Sequence, residues 1–88
     1  MRIAEAGTTR FMGHELALAA DVLVPREETE LLGRTALAAL AAMEDGAQFV
    51  DMCCGAGNLA CCLAAEVPGA RGLACDLTSA CVGLARRN

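Results

Sequence analysis

The stretch of this chain richest in chemistry is Asp51-Met52-Cys53-Cys54-Gly55-Ala56-Gly57-Asn58-Leu59-Ala60. It reads as a strand ending in an acid, a turn of small residues, and the first turn of a helix. Such a turn needs backbone conformations that glycine adopts most cheaply. Gly55-x-Gly57-x-x-Ala60 fits the fingerprint in which a helix N-terminus receives a pyrophosphate. Asp76, nineteen residues after Gly57, stands at the distance of a ribose-binding acid.

Asp51 separates two ligand classes. Two unit charges about 4 Å apart interact by roughly 4 kcal/mol at an effective dielectric of about 20, repulsively for a pyrophosphate and attractively for a cation. The acid therefore favours a positively charged ligand. S-adenosylmethionine has a sulfonium, an ammonium, a ribose for Asp76 and no phosphate. A nicotinamide-nucleotide half-domain of an oxidoreductase remains the alternative enzyme. A non-catalytic interaction fragment is the alternative outside catalysis, and Asp51 as a plain cap on the following helix is the simplest structural account of that acid.

The elements that must hold these residues can be read on either side of them. Phe11 to Val24 alternates short apolar stretches around Gly13 and Asp21, as expected of an extended segment or β-hairpin within residues 1–27. Pro25 closes it. Glu27, Glu28 and Glu30 suit a helix N-terminus, and a helix is expected from Glu28 to Met43 with Leu32, Ala36, Ala39, Leu40 and Met43 facing a core. Glu30, Arg34 and Glu44 would stay wet, and Asp45-Gly46 would end the helix.

A buried strand is expected over Gln48–Met52, then a helix from Asn58 to Glu66 burying Leu59, Cys62 and Leu63 before Pro68-Gly69. A second strand would run from Arg71 to Asp76, with Thr78 capping a last helix that carries Cys81, Leu84 and Ala85 on one face. This order is the opening of an α/β sheet of parallel strands flanked by helices. Two strands cannot cover both faces and edges of such a sheet, so residues 28–88 are expected to be the first part of a Rossmann-like domain in a longer protein.

Composition narrows the rest. The 88 residues suffice for one small domain; they are 56% hydrophobic and 20% charged, with a net charge of −4. All seven basic residues are arginine and, apart from Arg86-Arg87, are dispersed, so nucleic acid is not expected as a partner. No apolar run approaches the roughly 20 residues of a membrane span, and the first residues lack the apolar core of a signal peptide; a cytoplasmic location is expected. The six cysteines show no C-x-x-C pair or metal-ligand spacing, and are expected to be reduced thiols with no metal. Cys53 is the one candidate for a nucleophile, near a helix N-terminus, but it has no base nearby in sequence and Asp51 beside it. No catalytic residue is assigned.

Asp51 to Ala60 resembles motif I of class I S-adenosylmethionine-dependent methyltransferases. Asp76-Leu77-Thr78 with Ala85-Arg86-Arg87-Asn88 is similar to the next segment of their HemK/PrmC-like members. The segment Val22-Leu23-Val24-Pro25-Arg26-Glu27-Glu28-Thr29-Glu30 resembles the Pro-Arg-Pro-Glu-Thr-Glu signature of that family, and Phe11 and Gly13 its Phe-x-Gly element. Glu27 stands in place of the second proline, and Cys53 and Cys54 in place of glycine and threonine.

The resemblance implies a Rossmann-like fold and methyl transfer from S-adenosylmethionine to a nitrogen such as the side-chain amide of a protein glutamine. It implies that Asp51 and the Gly55 and Gly57 backbones hold the methionine end, that Asp76 accepts the ribose hydroxyls, that Arg26, Thr29 and Glu30 line the near side of the pocket, and that Cys53 and Asn58 also bind the cofactor. The family's acceptor-gripping Asn-Pro-Pro-Tyr motif would lie beyond Asn88. The 88 residues alone are expected to be inactive, marginally stable and prone to self-association, with S-adenosylmethionine and a protein substrate as the partners of the whole enzyme.

Overall fold

A computed structural model describes residues 7–43 and 46–88. Met1–Ala6, Glu44 and Asp45 lie outside the described residues, and with them the expectations that Glu44 is wet and that Asp45 helps end a helix. The element order is β1 (Gly7–Phe11), β2 (His14–Leu18), α1 (Thr29–Ala41), β3 (Gln48–Met52), α2 (Asn58–Glu66), β4 (Arg71–Cys75) and α3 (Ser79–Arg87).

β1 and β2 form an antiparallel hairpin in which Phe11 opposes His14, leaving Met12 and Gly13 as a two-residue turn. Both have positive φ, +51° and +80°, the conformation that matches the twist of the flanking strands. The left-handed state costs a residue with a Cβ about 1–2 kcal/mol. Here the Met12 amide donates to Glu30 Oε2 at 2.6 Å, which offsets part of that cost and fastens the hairpin tip to α1. Arg10 Nη2 donates to Gly13 O at 2.9 Å from the other side.

β3 and β4 pair in parallel, Gln48 with Arg71 through Met52 with Cys75, and α2 is the crossover between them. The chain is therefore α/β, with two separate two-stranded sheets. Asp51 bonds the backbone of α2, so alternation puts Phe49 and Asp51 on the helix-covered face and Val50 and Met52 on the other. The Phe49 ring lies over Gly72, where any side chain would overlap it. The opposite face is bare, with Val50, Met52 and Leu73 all more than 60% exposed.

Two buried clusters join the hairpin side of the chain to the helices. Phe11 and Leu16 pack on Cys62 of α2, with Met12 and Leu59 against them; Val22 packs on Ala56 and on Leu84 of α3. Thr78 caps α3, its hydroxyl accepting from the Cys81 amide at 3.2 Å. All six cysteines are free thiols.

The apolar stripe expected on α1 is corrected. Gly33 and Leu40 are its buried residues, while Leu32 is 58% and Met43 55% exposed and Ala39 is exposed too. Leu31 to Met43 contains a single charge, Arg34, so spacing alone selects no unique face. Contact geometry selects it instead: Gly33 lets the hairpin's Met12 thioether approach the helix backbone, and Glu30, one turn earlier, holds Met12. Leu84→Ala, at a fully buried position, is expected to cost about 2–5 kcal/mol. Leu32→Ala, at a position that spacing assigns to the core and packing leaves exposed, should stay within about 0.5 kcal/mol. Urea unfolding of the two variants checks the orientation of α1; a larger loss at Leu32 would contradict it.

Candidate functional site

The turn between β3 and α2 is built from left-handed residues. Cys53, Gly55 and Gly57 have φ of +58°, +55° and +79°. Gly57 has a second reason to be glycine, since a Cβ there would come within 2.8 Å of Ala85 Cβ on α3. The turn backbone is bonded at almost every step. Cys54 N donates to Cys75 O and Gly57 N to Cys54 O, each at 2.9 Å, and Cys61 N to Gly57 O at 2.8 Å.

Two carboxylates complete this network from either side. Asp76 Oδ2 accepts from Gly55 N at 2.9 Å, and Asp51 Oδ2 accepts from Ala60 N at 3.2 Å. Asp51 thus caps the first turn of α2, the simplest structural role the sequence offered it, while its second oxygen is left for another partner. The amides of Asn58 and Leu59 precede the intrahelical ladder and point along the helix axis toward the turn. Among the described residues, neither Asp51 nor Asp76 has an ion-pair partner within 4.0 Å.

The two acids differ in character. The Asp51 carboxyl is pushed above its ordinary range, chiefly by burial, against the pull of the Ala60 amide and with the charge of Asp76 adding to the rise. Asp76 is held below its ordinary range, first by the Gly55 amide, then by the amides of Leu77 and Thr78 and the Cys81 thiol, against a smaller desolvation effect. Burial also raises the thiols of Cys54 and Cys61, with Asp51 contributing to both, and pushes Cys62 up to about 11. These three are protonated and poorly nucleophilic at neutral pH. His14, the one histidine, is engaged with Glu66 at 2.7 Å on the hairpin side of α2.

A cleft of about 200 Å³ opens at the turn, lined by Leu23 to Arg26, Thr29, Cys53 to Ala56 and Asn58. It brings together Arg26, Thr29, Cys53, Gly55 and Asn58 from the predicted set. Gly57 is buried beneath them, and the two acids brace the turn through its backbone. Glu30 stands apart: it is spent on Met12 N and on Arg34, at 3.1 Å, and borders a different cleft. That second cleft, about 530 Å³, lies between the hairpin and the start of α1, and shares Val24, Pro25 and Arg26 with the first. On its lining Arg26 pairs with Glu28 at 3.6 Å and Arg10 donates to the Gly13 carbonyl. The smaller cleft is the better candidate despite its size, because Cys53 to Ala56 of the glycine turn and Asn58 at the start of α2 line it, with Asp76 and Asp51 bonded to the backbone on either side of that turn. At 200 Å³ it takes only part of a typical ligand, which occupies about 300–1,000 Å³.

Sequence reasoning named Asn88 only within a family-like segment and gave it no place at the site, where its side chain reaches Ala56 in the turn. It also missed that Leu23 and Val24, apolar members of the segment before Pro25, form a wall of the cleft. The proline that directs this segment was the available signal.

The geometry defines a βαβ unit with a cleft at a glycine turn flanked by acids, and comparison with known proteins finds it similar to part of several methyltransferases. No protein-family model matches the chain. It is 43% identical over 86 residues to the 4-amino-L-phenylalanine/4-methylamino-L-phenylalanine methyltransferase of Streptomyces pristinaespiralis, a match covering 93% of this chain and 30% of that protein. It is 40% identical over 82 residues to the release factor glutamine methyltransferase of Burkholderia pseudomallei, covering 93% and 28%, and 38% identical over 87 residues to that of Chlorobaculum tepidum, covering 94% and 30%. The chain is a homologue of the HemK/PrmC-like methyltransferases and spans about 30% of the length of these relatives.

Opposite responses are expected from the two acids. A depressed carboxylate adds stability above its unfolded pKa and loses it as pH falls through the folded value; a raised one costs stability above its folded pKa, and that cost disappears below the unfolded value. At pH 7 Asp76→Asn should therefore lower the melting temperature. Asp51→Asn, whose amide oxygen can still accept from Ala60, should leave it unchanged or raise it. Thermal unfolding followed by circular dichroism tests both signs, and equal losses would refute the assignment.

Proposed function

We propose that this chain is the cofactor-holding part of an S-adenosylmethionine-dependent methyltransferase acting on a nitrogen, such as the side-chain amide of a protein glutamine. The observation that carries the reading is the pair of acids around a left-handed glycine turn, neither of them neutralised by a cation within reach among the described residues. A half-buried site with two negative charges is completed by a positively charged guest and opposed by a diphosphate. The relatives' names agree, and the acceptors they name, glutamine and an amino-phenylalanine, both carry nitrogen.

In this reading residues 28–88 open a Rossmann-like domain, residues 1–27 lead into it, and the enzyme works in the cytoplasm. The cofactor, when bound, supplies a methyl group made electrophilic by its sulfonium. The chain's own residues bind and orient. Asp51 would hold the ammonium, and the amides of Asn58 and Leu59 at the helix N-terminus would receive the carboxylate of the methionine end. Asp76 keeps Gly55 in place through Oδ2 and holds the Leu77 and Thr78 amides through Oδ1, and the lone pairs that remain would accept from the ribose hydroxyls. Thr29, Arg26 and the Val24-Pro25 wall close the side of the cleft and keep water from it. Alignment of this kind is the principal aid an already activated methyl group needs. Residues for gripping the acceptor are not assigned to this chain, so binding without turnover is expected of it.

Isothermal calorimetry tests the reading directly. The chain should bind S-adenosylmethionine and not NADH, and Asp51→Asn should weaken that binding about tenfold or more, the effect of about 1.4 kcal/mol or more of lost charge attraction. Binding of NADH with no response to S-adenosylmethionine would sink the proposal, as would an Asp51→Asn variant that binds as well as the parent.

A further inference from the structure

We infer that Asn88 is a positioning residue for the glycine turn, clamping the hairpin onto it and holding the Ala56 carbonyl in place. The link to binding rests on the cofactor reading above; the clamp itself does not. Asn88 follows α3, and its side-chain Oδ1 accepts from Ala17 N at 2.7 Å while its Nδ2 donates to Ala17 O at 3.2 Å. The carboxamide thereby pairs with both backbone groups of one β2 residue, as a neighbouring strand would. The same Nδ2 donates to Ala56 O at 2.9 Å, between Gly55 and Gly57. An amide nitrogen carries two hydrogens, so both donations can be made at once.

The network also dictates which way the amide faces. Reversed, its oxygen would confront two carbonyls and its nitrogen an N–H group. Asn88 is half-buried beside Val22, Ala56 and Leu84, each at most 1% exposed, so a carbonyl left without a partner there would go uncompensated by bulk water. No other side chain of this size fits: aspartate lacks the two donors, and alanine lacks donor and acceptor alike.

Two consequences reach the cleft. The Ala56 carbonyl sets the plane of the peptide joining Ala56 to Gly57, so its tether restrains the left-handed backbone of the turn. The bonds to Ala17 fix the end of β2, and only four residues separate Leu18 from Leu23, where the cleft wall begins. Turn and wall are thus registered to each other by a residue that lines neither.

The test compares the 88-residue chain with its Asn88→Ala and Asn88→Asp variants by S-adenosylmethionine calorimetry and amide NMR. Affinity should fall about tenfold in Asn88→Ala, from lost hydrogen bonds, and further in Asn88→Asp, whose carboxylate faces two carbonyls. The amide resonances of Gly55, Gly57 and Ala17 should shift in the same order. Folded variants with unchanged affinity and unmoved Gly55 and Gly57 resonances would overturn the inference. Should neither variant fold, the parent decides it: slow hydrogen exchange at the Asn88 side-chain amide supports the clamp, and exchange at the rate of an exposed asparagine refutes it. Should the parent bind no S-adenosylmethionine, the cofactor reading fails while the resonance and exchange measurements still judge the clamp.

Discussion

Everything at the turn depends on carboxylates bonded to backbone amides. Asp76 reaches 21 residues back to Gly55 N, and Asp51 reaches forward to Ala60 N. The first satisfies a donor of the glycine turn and the second a donor in the first turn of α2, and each brings negative charge toward the N-terminus of that helix, where the helix dipole favours it. The two like charges share one partly buried neighbourhood, where burial chiefly raises the Asp51 carboxyl and the charge of Asp76 adds a smaller part. Rigid geometry and a demand for positive charge arise from the same two contacts.

The hairpin serves this arrangement although it joins no sheet with β3 and β4. Phe11 and Leu16 take their burial from α2, and Val22 takes its own from Ala56 and Leu84, so neither side of the chain has a core of its own. Glu30 and His14 reinforce the joint, one on the hairpin turn and one on Glu66. By contrast, one face of the β3–β4 sheet and the outer side of α1 expose large apolar residues. Contiguous apolar surface of that kind marks a place of contact in folded proteins.

Much of the fold was legible because its signals are local. Gln48–Met52 and Asn58–Glu66 came from apolar runs interrupted by glycines, and Thr78 from its place ahead of an amphipathic segment. Strand β4 ends one residue earlier than expected, releasing Asp76 to turn toward Gly55. The rotation of α1 was not legible, since a helix of leucine and alanine with one arginine looks alike from several sides. Of the site, the gathering of Cys53, Gly55 and Asn58 was readable from a ten-residue segment. The diversion of Glu30 to Met12 was not, because it depends on where a hairpin tip lands.

The sequence by itself determined the order of elements, the left-handed turn at Gly55 and Gly57, and the presence of an acid at the end of each parallel strand. These follow from residue types and spacings that act over one turn of helix or a few residues of strand. Only the tertiary structure decided which face of α1 is buried, that Glu30 is taken up by the hairpin turn, and that Asn88 reaches Ala17 across 71 residues of chain. Contacts of that separation are set by how the elements pack, and no local propensity encodes them.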